Sequence, residues 1–301
     1  MNNPLVTVAV VSYYSGDTIL ETLESIKNQT YNNIELIISD DCSGDDTVEI
    51  CKRWLDNNKG RFVRVLLLTS EHNQGVCTNV NKAFSNANGT WIKGMSADDI
   101  MFPNCISDNV HFINQNKGVS FVTSYMSVYN ETFEEKNCID RYRATYDMSV
   151  YDQSVEVQLR AMAYYDYVQS PAYFYKKELF ESVGGYKEKY LFEDWPFFLD
   201  VLEKGYRIYF LDKVTVGYRA HQSASREPDK IFKYSFLIST HKFVKERCFK
   251  YYSGRKIFAT RLQWFIEWAM HALGMDKNNR FNKRIYGACC RICRKLGGRA
   301  F

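Results

Sequence analysis

The run Leu5-Val-Thr-Val-Ala-Val-Val-Ser12 decides the fold class of this 301-residue chain. Nearly every side chain in it is apolar and most are β-branched, which is typical of a strand that is buried on both faces. A second run of this kind covers residues 34–38, and between the two runs Ile19, Leu23 and Ile26 recur at the spacing of one helix face. Strands that alternate with helices in this way predict βαβ units and a mostly parallel sheet.

The alternation continues along most of the chain and then gives way to a helical, basic and aromatic segment from about residue 231. Further strands are predicted over residues 61–68, 91–95, 119–125, 170–175, 207–211 and 214–219, and further helices over residues 45–54, 76–87 and 153–163 and after Pro103. Residues 129–151 are polar and irregular, and the pattern leaves a hairpin and a mobile flap open. We therefore predict an α/β domain over residues 1–225 and a helical, basic extension over residues 226–301.

Charge is divided unevenly along the chain, although the net charge of the whole is only +4. Residues 241–301 contain 15 Lys and Arg against 3 Asp and Glu, which gives +12 there and −8 for the rest. A basic tail on an acidic body often binds an anionic partner such as lipid, nucleic acid or an acidic protein. The nine cysteines are scattered, and the sequence shows no signal peptide and no membrane-spanning run, so we expect a cytoplasmic protein without a disulfide framework.

Three acidic pairs stand at the ends of predicted elements: Asp40-Asp41, Asp98-Asp99 and Glu193-Asp194. Ligands of parallel sheets bind at the carboxyl ends of the strands, which is where the first two pairs stand. Adjacent carboxylates there can hold Mg²⁺ or Mn²⁺ and leave positions free for a diphosphate. The alternative is structural, because acidic residues also cap helices and are favoured by the helix dipole. Each pair taken alone leaves both interpretations open.

Taken together, six segments resemble the family 2 glycosyltransferases, in order and at the usual spacings, from residue 5 to about residue 225. They are Val6-Thr-Val-Ala-Val-Val-Ser-Tyr-Tyr14, Ile38-Ser-Asp-Asp-Cys-Ser-Gly-Asp-Asp-Thr47, Asn73-Gln-Gly75, Trp91-Ile-Lys-Gly-Met-Ser-Ala-Asp-Asp99 with Pro103, Glu193-Asp194 and Tyr218-Arg-Ala-His221. The resemblance implies an inverting enzyme of the GT-A fold, an α/β, Rossmann-like and mostly parallel sheet flanked by helices, that uses a nucleotide-sugar donor.

Matched position by position, the resemblance implies that the nucleotide sugar contacts Ser12, Tyr13, Asp40, Asp41, Asn73, Gly75, Asp98, Glu193 and Arg219. Asp40 and Asp41 would read the base, and Asn73 and Gly75 would lie in a loop over the nucleotide. A divalent cofactor, Mn²⁺ or Mg²⁺, would be held by Asp98, Asp99 and His221. Asp194 matches the catalytic base of the family.

The chemistry of inversion agrees with this division of roles. It is a single in-line displacement, in which a base removes the proton of the acceptor hydroxyl on the face opposite the leaving diphosphate. Base and metal therefore require two separate acidic clusters, and the sequence has them. One position departs from the family, since Ser96 stands where the first acid of its Asp-x-Asp motif is usual. Serine can still bind a ribose hydroxyl or a metal-bound water, but it indicates an altered donor preference or an inactive relative.

We therefore predict an inverting glycosyltransferase that moves a sugar from a nucleotide-diphosphate sugar to a hydroxyl of a glycan or lipid-linked glycan in polysaccharide biosynthesis. A UDP-sugar is the expected donor. One alternative is a nucleotidyltransferase, but its Gly-rich phosphate loop is missing, because Tyr13-Tyr-Ser-Gly16 has one glycine and no basic residue. The other alternative is a non-catalytic relative that binds glycan or scaffolds partners, which Ser96 keeps open.

The end of the basic extension predicts an amphipathic helix. Basic residues share one side of it and apolar residues share another: Arg284, Arg291, Arg294 and Lys295 against Ile285, Cys289, Ile292 and Leu296. This pattern is typical of a helix that lies on an anionic membrane surface, and we expect a peripheral position on the inner face of the membrane. The alternative is a helical cap on the catalytic domain with a solvated basic face. No motif indicates nucleic-acid binding.

Overall fold

The computed structural model describes residues 3–145, 147–220, 227 and 229–297, and within them nine strands form one sheet. The strands are β1 (Val6–Ser12), β2 (Ile34–Asp40), β3 (Arg64–Thr69), β4 (Trp91–Ser96), β5 (Ile100–Met101), β6 (Phe121–Asn130), β7 (Cys138–Arg143), β8 (Phe174–Lys176) and β9 (Ile208–Ala220). The α-helices are α1 (Ile19–Lys27), α2 (Thr47–Asn58), α3 (Val76–Ser85), α4 (Cys105–Gln115), α5 (Val155–Tyr164), α6 (Lys177–Val183), α7 (Asp194–Glu203), α8 (Tyr234–Phe243), α9 (Gly254–Ala272) and α10 (Arg280–Gly297). Short 3₁₀ segments cover Lys59–Arg61, Glu135–Asn137, Met148–Asp152, Ser170–Ala172 and Phe249–Tyr251, and Val244–Cys248 is a π-helical turn.

The parallel part of the sheet has the order β3-β2-β1-β4, with β1 between β2 and β4. Every residue of β2 and nearly every residue of β1 is buried, as their apolar runs predict. Their register aligns Ser12 with Asp40 and Val11 with Ser96, so the three strands end at nearly the same level. The polar residues that follow these strands therefore meet along one line.

The rest of the sheet is joined through β8, which runs antiparallel to both β4 and β6. β9 runs parallel to β6, while β5 and β7 are antiparallel to β9 and β6. Because two reversals restore the direction, β6 and β9 point the same way as β4. The carboxyl ends of β1, β2, β4, β6 and β9 and the beginning of β8 therefore share one edge, which we call the carboxyl edge.

Helices supply the apolar faces that cover the sheet. Ile19, Leu23 and Ile26 of α1 are fully buried, which confirms the helix face predicted from their spacing. Across the junction of β4 and β8, the rings of Trp91 and Phe174 stack with their centroids 4.9 Å apart. This stacking lies within the core that holds β8 against the parallel strands.

The structure corrects the sequence predictions at three places. The two strands predicted over 207–211 and 214–219 are one strand, β9, whose pairing with β6 shifts register on either side of Tyr125. The strand predicted over 170–175 begins only at Phe174, after the 3₁₀ turn Ser170–Ala172. Helix α6 was not predicted, and it ends at Gly184 with a φ of +73°. The segment 129–151 contains β7, which pairs with β6.

The chain divides into two compact units. The first comprises the described parts of Met1–Gln158, Tyr167–Glu188 and Phe192–Ala220, and it holds the sheet. The second comprises Leu159–Asp166, Lys189–Leu191 and the described parts of His221–Phe301, and it holds α8, α9 and α10. The predicted boundary at residue 225 stays a prediction, because residues 221–226 lie outside the described residues.

A buried acidic residue, Glu267, connects the helices of the second unit. The carboxylate of Glu267 in α9 accepts hydrogen bonds from Gln263 Nε2 (2.9 Å) and the Tyr286 hydroxyl (2.9 Å), and it lies 2.8 Å from His241 Nε2. These contacts join α8, α9 and α10 around one buried group.

In the part of the chain that the structure describes, no helix combines the length and the apolar character needed to cross a bilayer.

The first unit contains a buried acid, paired with a partly exposed arginine, away from the carboxyl edge. Glu35 in β2 is fully buried, and its carboxylate accepts hydrogen bonds from the Thr7 hydroxyl, the Asn88 amide (2.7 Å) and the Arg64 guanidinium. Burial acts to raise the pKa of Glu35, but these hydrogen bonds and the charge of Arg64 outweigh it and lower the pKa. The carboxylate therefore joins β1, β2 and β3 to the turn before β4.

We expect Glu35→Ala to lower the free energy of unfolding by about 3 kcal/mol, because it removes the acceptor of the Asn88 amide and leaves the buried Thr7 hydroxyl without its acceptor. Urea denaturation measures the change. The control is Asp56→Ala on the exposed side of α2, for which we expect a change within about 0.5 kcal/mol. Equal effects of the two substitutions would contradict this account of Glu35.

Candidate active site at the carboxyl edge

Backbone strain marks the carboxyl edge. Among the described residues, three non-glycine residues have a positive φ: Tyr14 (50°), Cys42 (68°) and Glu131 (64°). They follow the ends of β1, β2 and β6, all at this edge. Such conformations persist only where the surroundings enforce them, and they cluster at functional sites. The strain therefore points to this edge as the candidate site.

Asp40 at the end of β2 builds the first turn of the site. It is buried, and its carboxylate accepts hydrogen bonds from the Ser43 amide (2.8 Å), the Ser43 hydroxyl (2.6 Å) and the Ser12 hydroxyl (2.9 Å). Ser12 is thus tied to the neighbouring strand, while Tyr13 beside it is half exposed. The predicted hydrogen bond between Asp40 and the base of the nucleotide would have to use the carboxylate lone pairs that these three donors leave free.

Asp41 holds a loop from another part of the chain. Its two carboxylate oxygens accept hydrogen bonds from the amides of Gln74 (3.0 Å) and Gly75 (2.8 Å). The side chain of Asn73 accepts a second bond from the Gly75 amide (3.1 Å), and Gly75 has a φ of +89°, which glycine tolerates best. Asp41 therefore brings Asn73 and Gly75 to the end of β2, as a shared nucleotide site requires.

The loop after β4 is fixed by α1 and places its two aspartates in different environments. The hydroxyl of Thr18, directly before α1, donates a hydrogen bond to the carbonyl of Ala97 (2.9 Å), and that of Thr22 in α1 donates one to the carbonyl of Asp99 (2.7 Å). Ser96 is exposed and Asp98 is half-buried, whereas Asp99 is buried and accepts a hydrogen bond from the Arg219 amide (2.9 Å). Burial and the charge of Asp98 raise the pKa of Asp99 well above its usual value. The geometry favours Asp98, and not Asp99, as the metal ligand of the predicted pair.

Arg219 near the end of β9 is engaged within the protein. Its guanidinium donates to the carbonyl of Asp98 (2.9 Å), to the carbonyl of Glu131 and to the carboxylate of Glu21. It also lies 4.4 Å from the centre of the Phe133 ring. The predicted contact with the diphosphate would therefore require exchange of a partner, and the observed role of Arg219 is to hold the Asp98 loop.

The residues at this edge could hold a divalent metal only together with oxygens of the nucleotide-sugar donor. The described residues contain no group of three or more His, Cys, Asp or Glu side chains arranged to hold an ion, and His221 lies outside the described residues. Mg²⁺ and Mn²⁺ accept oxygen ligands, and Mg²⁺ is commonly held by one or two carboxylates together with substrate phosphates. The half-buried carboxylate of Asp98 and the exposed hydroxyl of Ser96 offer oxygen ligands of this kind.

Asp194 begins α7, with Glu193 in the preceding position. Its half-buried carboxylate accepts a hydrogen bond from the hydroxyl of Ser170, in the turn that precedes β8. Burial raises the pKa of Asp194 to about 6, against the opposing effect of hydrogen bonds with Ser170 and Glu193. A carboxylate with this pKa is ionised at neutral pH and remains basic enough to accept a proton from a hydroxyl.

A buried lysine anchors the turn that carries Ser170. Lys93 in β4 is almost fully buried, and its ammonium group donates to the carbonyls of Pro171 and Gly94 (3.1 Å). Burial lowers the pKa of Lys93. The sequence analysis missed both Lys93 and Ser170. A lone charge within the apolar run 91–95 was an available signal for Lys93, whereas nothing in the sequence distinguished Ser170.

The sequence profile of glycosyl transferase family 2 matches residues 7–194, more than half of the chain. The match begins in β1 and ends at Asp194. It therefore covers the carboxyl ends of β1, β2 and β4 and the candidate base.

A curated relative from Escherichia coli, the UDP-Glc:alpha-D-GlcNAc-diphosphoundecaprenol beta-1,3-glucosyltransferase WfaP, is 28% identical over 218 residues, which are 72% of this chain and 78% of the relative. Seven further curated relatives are matched over 33–49% of their own length.

Solved structures share the fold. Residues 1–349 of S. aureus TarS in complex with UDP-GlcNAc superpose with a TM-score of 0.60 at 17% identity, over 97% of this chain and 81% of that one. The mannosyltransferase PcManGT from Pyrobaculum calidifontis in complex with GDP-Man and Mn²⁺ gives 0.57 at 20% identity, over 74% and 59%. The predicted α/β, GT-A fold class is thereby confirmed.

We expect Ser170→Ala to move the acidic limb of the pH–activity profile from about 6 to about 7, because it removes a hydrogen bond that favours the charged form of Asp194. Activity falls as the pH drops through the pKa of the base, so the variant loses more at pH 6 than at pH 8. The measurement is kcat/KM for glycosyl transfer against pH. The control, Ser182→Ala on the exposed side of α6, should leave the limb in place, and an unmoved limb in Ser170→Ala would contradict the role of this contact.

Proposed function

The chain belongs to glycosyl transferase family 2, and from that membership we propose that this glycosyltransferase moves a sugar from a UDP-sugar to a hydroxyl of a lipid-linked glycan, with inversion at the anomeric carbon. The observation that carries the proposal is the placement of Asp194. Its carboxylate lies at the carboxyl edge, in a setting that raises its pKa, and it belongs to a segment separate from that of Asp98.

In this proposal Asp194 is the base. It takes the proton from the acceptor hydroxyl while the oxygen attacks the anomeric carbon and the nucleoside diphosphate leaves from the opposite face. Ser170 orients the carboxylate, and Lys93 holds the turn on which Ser170 lies. Glu193 contributes through its hydrogen bond with Asp194, and in this proposal it would contact the sugar of the donor.

Asp98 would hold Mn²⁺ or Mg²⁺, together with oxygens of the diphosphate and with His221. When bound, the ion supplies positive charge that offsets the negative charge on the leaving diphosphate. Arg219, Thr18 and Thr22 keep the Asp98 loop in place. Asp99 supports the same loop through the Arg219 amide, so we assign it a positioning role.

The nucleoside would lie against Ser12, Tyr13, Asp40, Asp41, Asn73 and Gly75. A carboxylate offers about four lone-pair positions, so Asp40 and Asp41 can accept a hydrogen bond from the base in addition to their present donors. The half-exposed ring of Tyr13 offers an apolar surface at the same edge. UDP as the nucleotide is supported by the names of WfaP and of the TarS complex, both of which contain UDP.

The acceptor is proposed from the relatives. WfaP and a second Escherichia coli relative, WfgD, are named for transfer to a GlcNAc-diphosphoundecaprenol, a sugar on a lipid carrier. An acceptor of this class places the reaction at a membrane surface. We accordingly keep the expectation of a cytoplasmic enzyme at the inner face of the membrane, with residues 226–301 as an extension of the catalytic domain, as part of this proposal.

We expect Asp194→Asn to lower kcat by about 100-fold or more while donor binding remains, because the amide cannot accept the hydroxyl proton. Turnover with radiolabelled UDP-sugar and donor affinity by calorimetry measure the two effects separately. The matched control is Asp212→Asn, the same change at an exposed position of β9, which should leave both unchanged. Full turnover in Asp194→Asn would show that Asp194 is not the base. It would favour the structural interpretation of Glu193-Asp194, in which the pair caps a helix.

A further inference from the structure

Every exposed charge on the last two helices and the turn between them is positive. Residues 254–297 contain ten Lys and Arg and two acidic residues, Glu267 and Asp276. Both acids are only 1% exposed and both are paired: Glu267 with groups of α8, α9 and α10, and Asp276 with Lys230 (2.7 Å) and His271 (2.7 Å). The positive charges are therefore not balanced at the surface of this segment.

Helix α10 combines that charge with exposed apolar side chains on one arc. Its packed face contains Asn282, Tyr286, Cys293 and Gly297, and the Tyr286 hydroxyl reaches Glu267 of α9 (2.9 Å). One arc outside that face repeats at the spacing i, i+3, i+7, i+10, i+11, i+14 and i+15, counted from Phe281. We call it the outer face of α10, and its exposed members are Phe281, Arg284, Arg291, Ile292, Lys295 and Leu296.

The order of residues around the outer face divides it into a basic half and an apolar half. Arg284, Arg291 and Lys295 lie side by side, and the apolar residues follow directly around the helix. Phe281 is 68% exposed and Ile292 is 57% exposed, so the apolar half is open to solvent. A basic stripe beside an apolar stripe is the pattern of a helix that lies in the interface of an anionic bilayer.

We propose that the outer face of α10 docks the enzyme on a bilayer of anionic lipid. The basic half binds lipid phosphates, and the apolar half enters the boundary between the headgroups and the acyl chains. Helix α9 also exposes aromatic residues, among them Phe265 and Trp268, but only the outer face of α10 joins three adjacent cations to its apolar residues. The inference deepens the proposed function, because it names the surface that contacts the membrane holding the lipid-linked acceptor. It rests on the proposed function for the existence of that acceptor.

Co-sedimentation of the full chain with vesicles tests the proposal without turnover. One set of vesicles contains phosphatidylcholine alone, and the other contains phosphatidylcholine and phosphatidylglycerol in equal parts. We expect binding to the anionic vesicles only, and weaker binding as salt is raised. Arg284→Gln/Arg291→Gln/Lys295→Gln should weaken it about 100-fold, since each basic residue near an anionic surface contributes about fivefold.

Two matched variants separate this face from charge in general. Lys52→Gln/Arg53→Gln/Lys59→Gln removes the same charge from exposed positions of α2 and the turn after it, and it should change binding by less than about twofold. Ile292→Ser/Leu296→Ser should remove the part of the binding that survives high salt, because it deletes the apolar half. Unchanged thermal melts would show that each variant is folded.

Equal binding to neutral and anionic vesicles, or equal losses in the two triple variants, would overturn the proposal. Lipid-free dimer formation that the Arg284/Arg291/Lys295 substitutions abolish would also overturn it, because it would assign the face to a second copy of the chain. Failure of vesicle binding together with normal transfer to a water-soluble acceptor would leave the glycosyltransferase function intact. Normal vesicle binding without transfer would instead count against the proposed donor and acceptor.

Discussion

The common register of the parallel strands is the constraint on which the rest of the structure depends. Because Ser12 aligns with Asp40 and Val11 with Ser96, the residues that follow three neighbouring strands are brought to one edge. Carboxylates crowded at one edge repel each other unless hydrogen-bond donors surround them. Backbone amides supply such donors to the carboxylates of Asp41 and Asp99.

The acidic residues of this edge consequently divide into two groups. The first group is buried, and its carboxylates accept hydrogen bonds from backbone amides of turns and loops, so these residues shape the site: Asp40, Asp41 and Asp99. Asp98 and Asp194 are half-buried and lie on separate segments, and we assign the chemistry to them. The supports of these two residues also differ: α1 and Arg219 hold the Asp98 loop, whereas Lys93 and Ser170 hold the turn beside Asp194.

The parallel strands and the positions of the acidic pairs could be predicted because both depend on residues that are close together in the sequence. The β-branched runs of β1 and β2 and the buried face of α1 depend on side chains within a few residues of each other. The contacts of Ser170 with Asp194 and of Lys93 with Pro171 join residues 24 and 78 positions apart, and no local pattern records them. The two strands predicted over 207–211 and 214–219 are a single strand for the same reason, since the pairing of β9 with β6 that continues through residues 212–213 is non-local.

The most direct test of the account is whether a UDP-sugar binds at this edge with a metal on Asp98. The measurement is the melting temperature of the protein with UDP-, GDP-, CDP- and dTDP-sugars, with and without Mn²⁺, for the wild type and for Asp98→Asn. The account predicts a rise with UDP-sugar that needs Mn²⁺ in the wild type and is lost in Asp98→Asn. A rise of equal size without metal, or one that Asp98→Asn leaves unchanged, would contradict it.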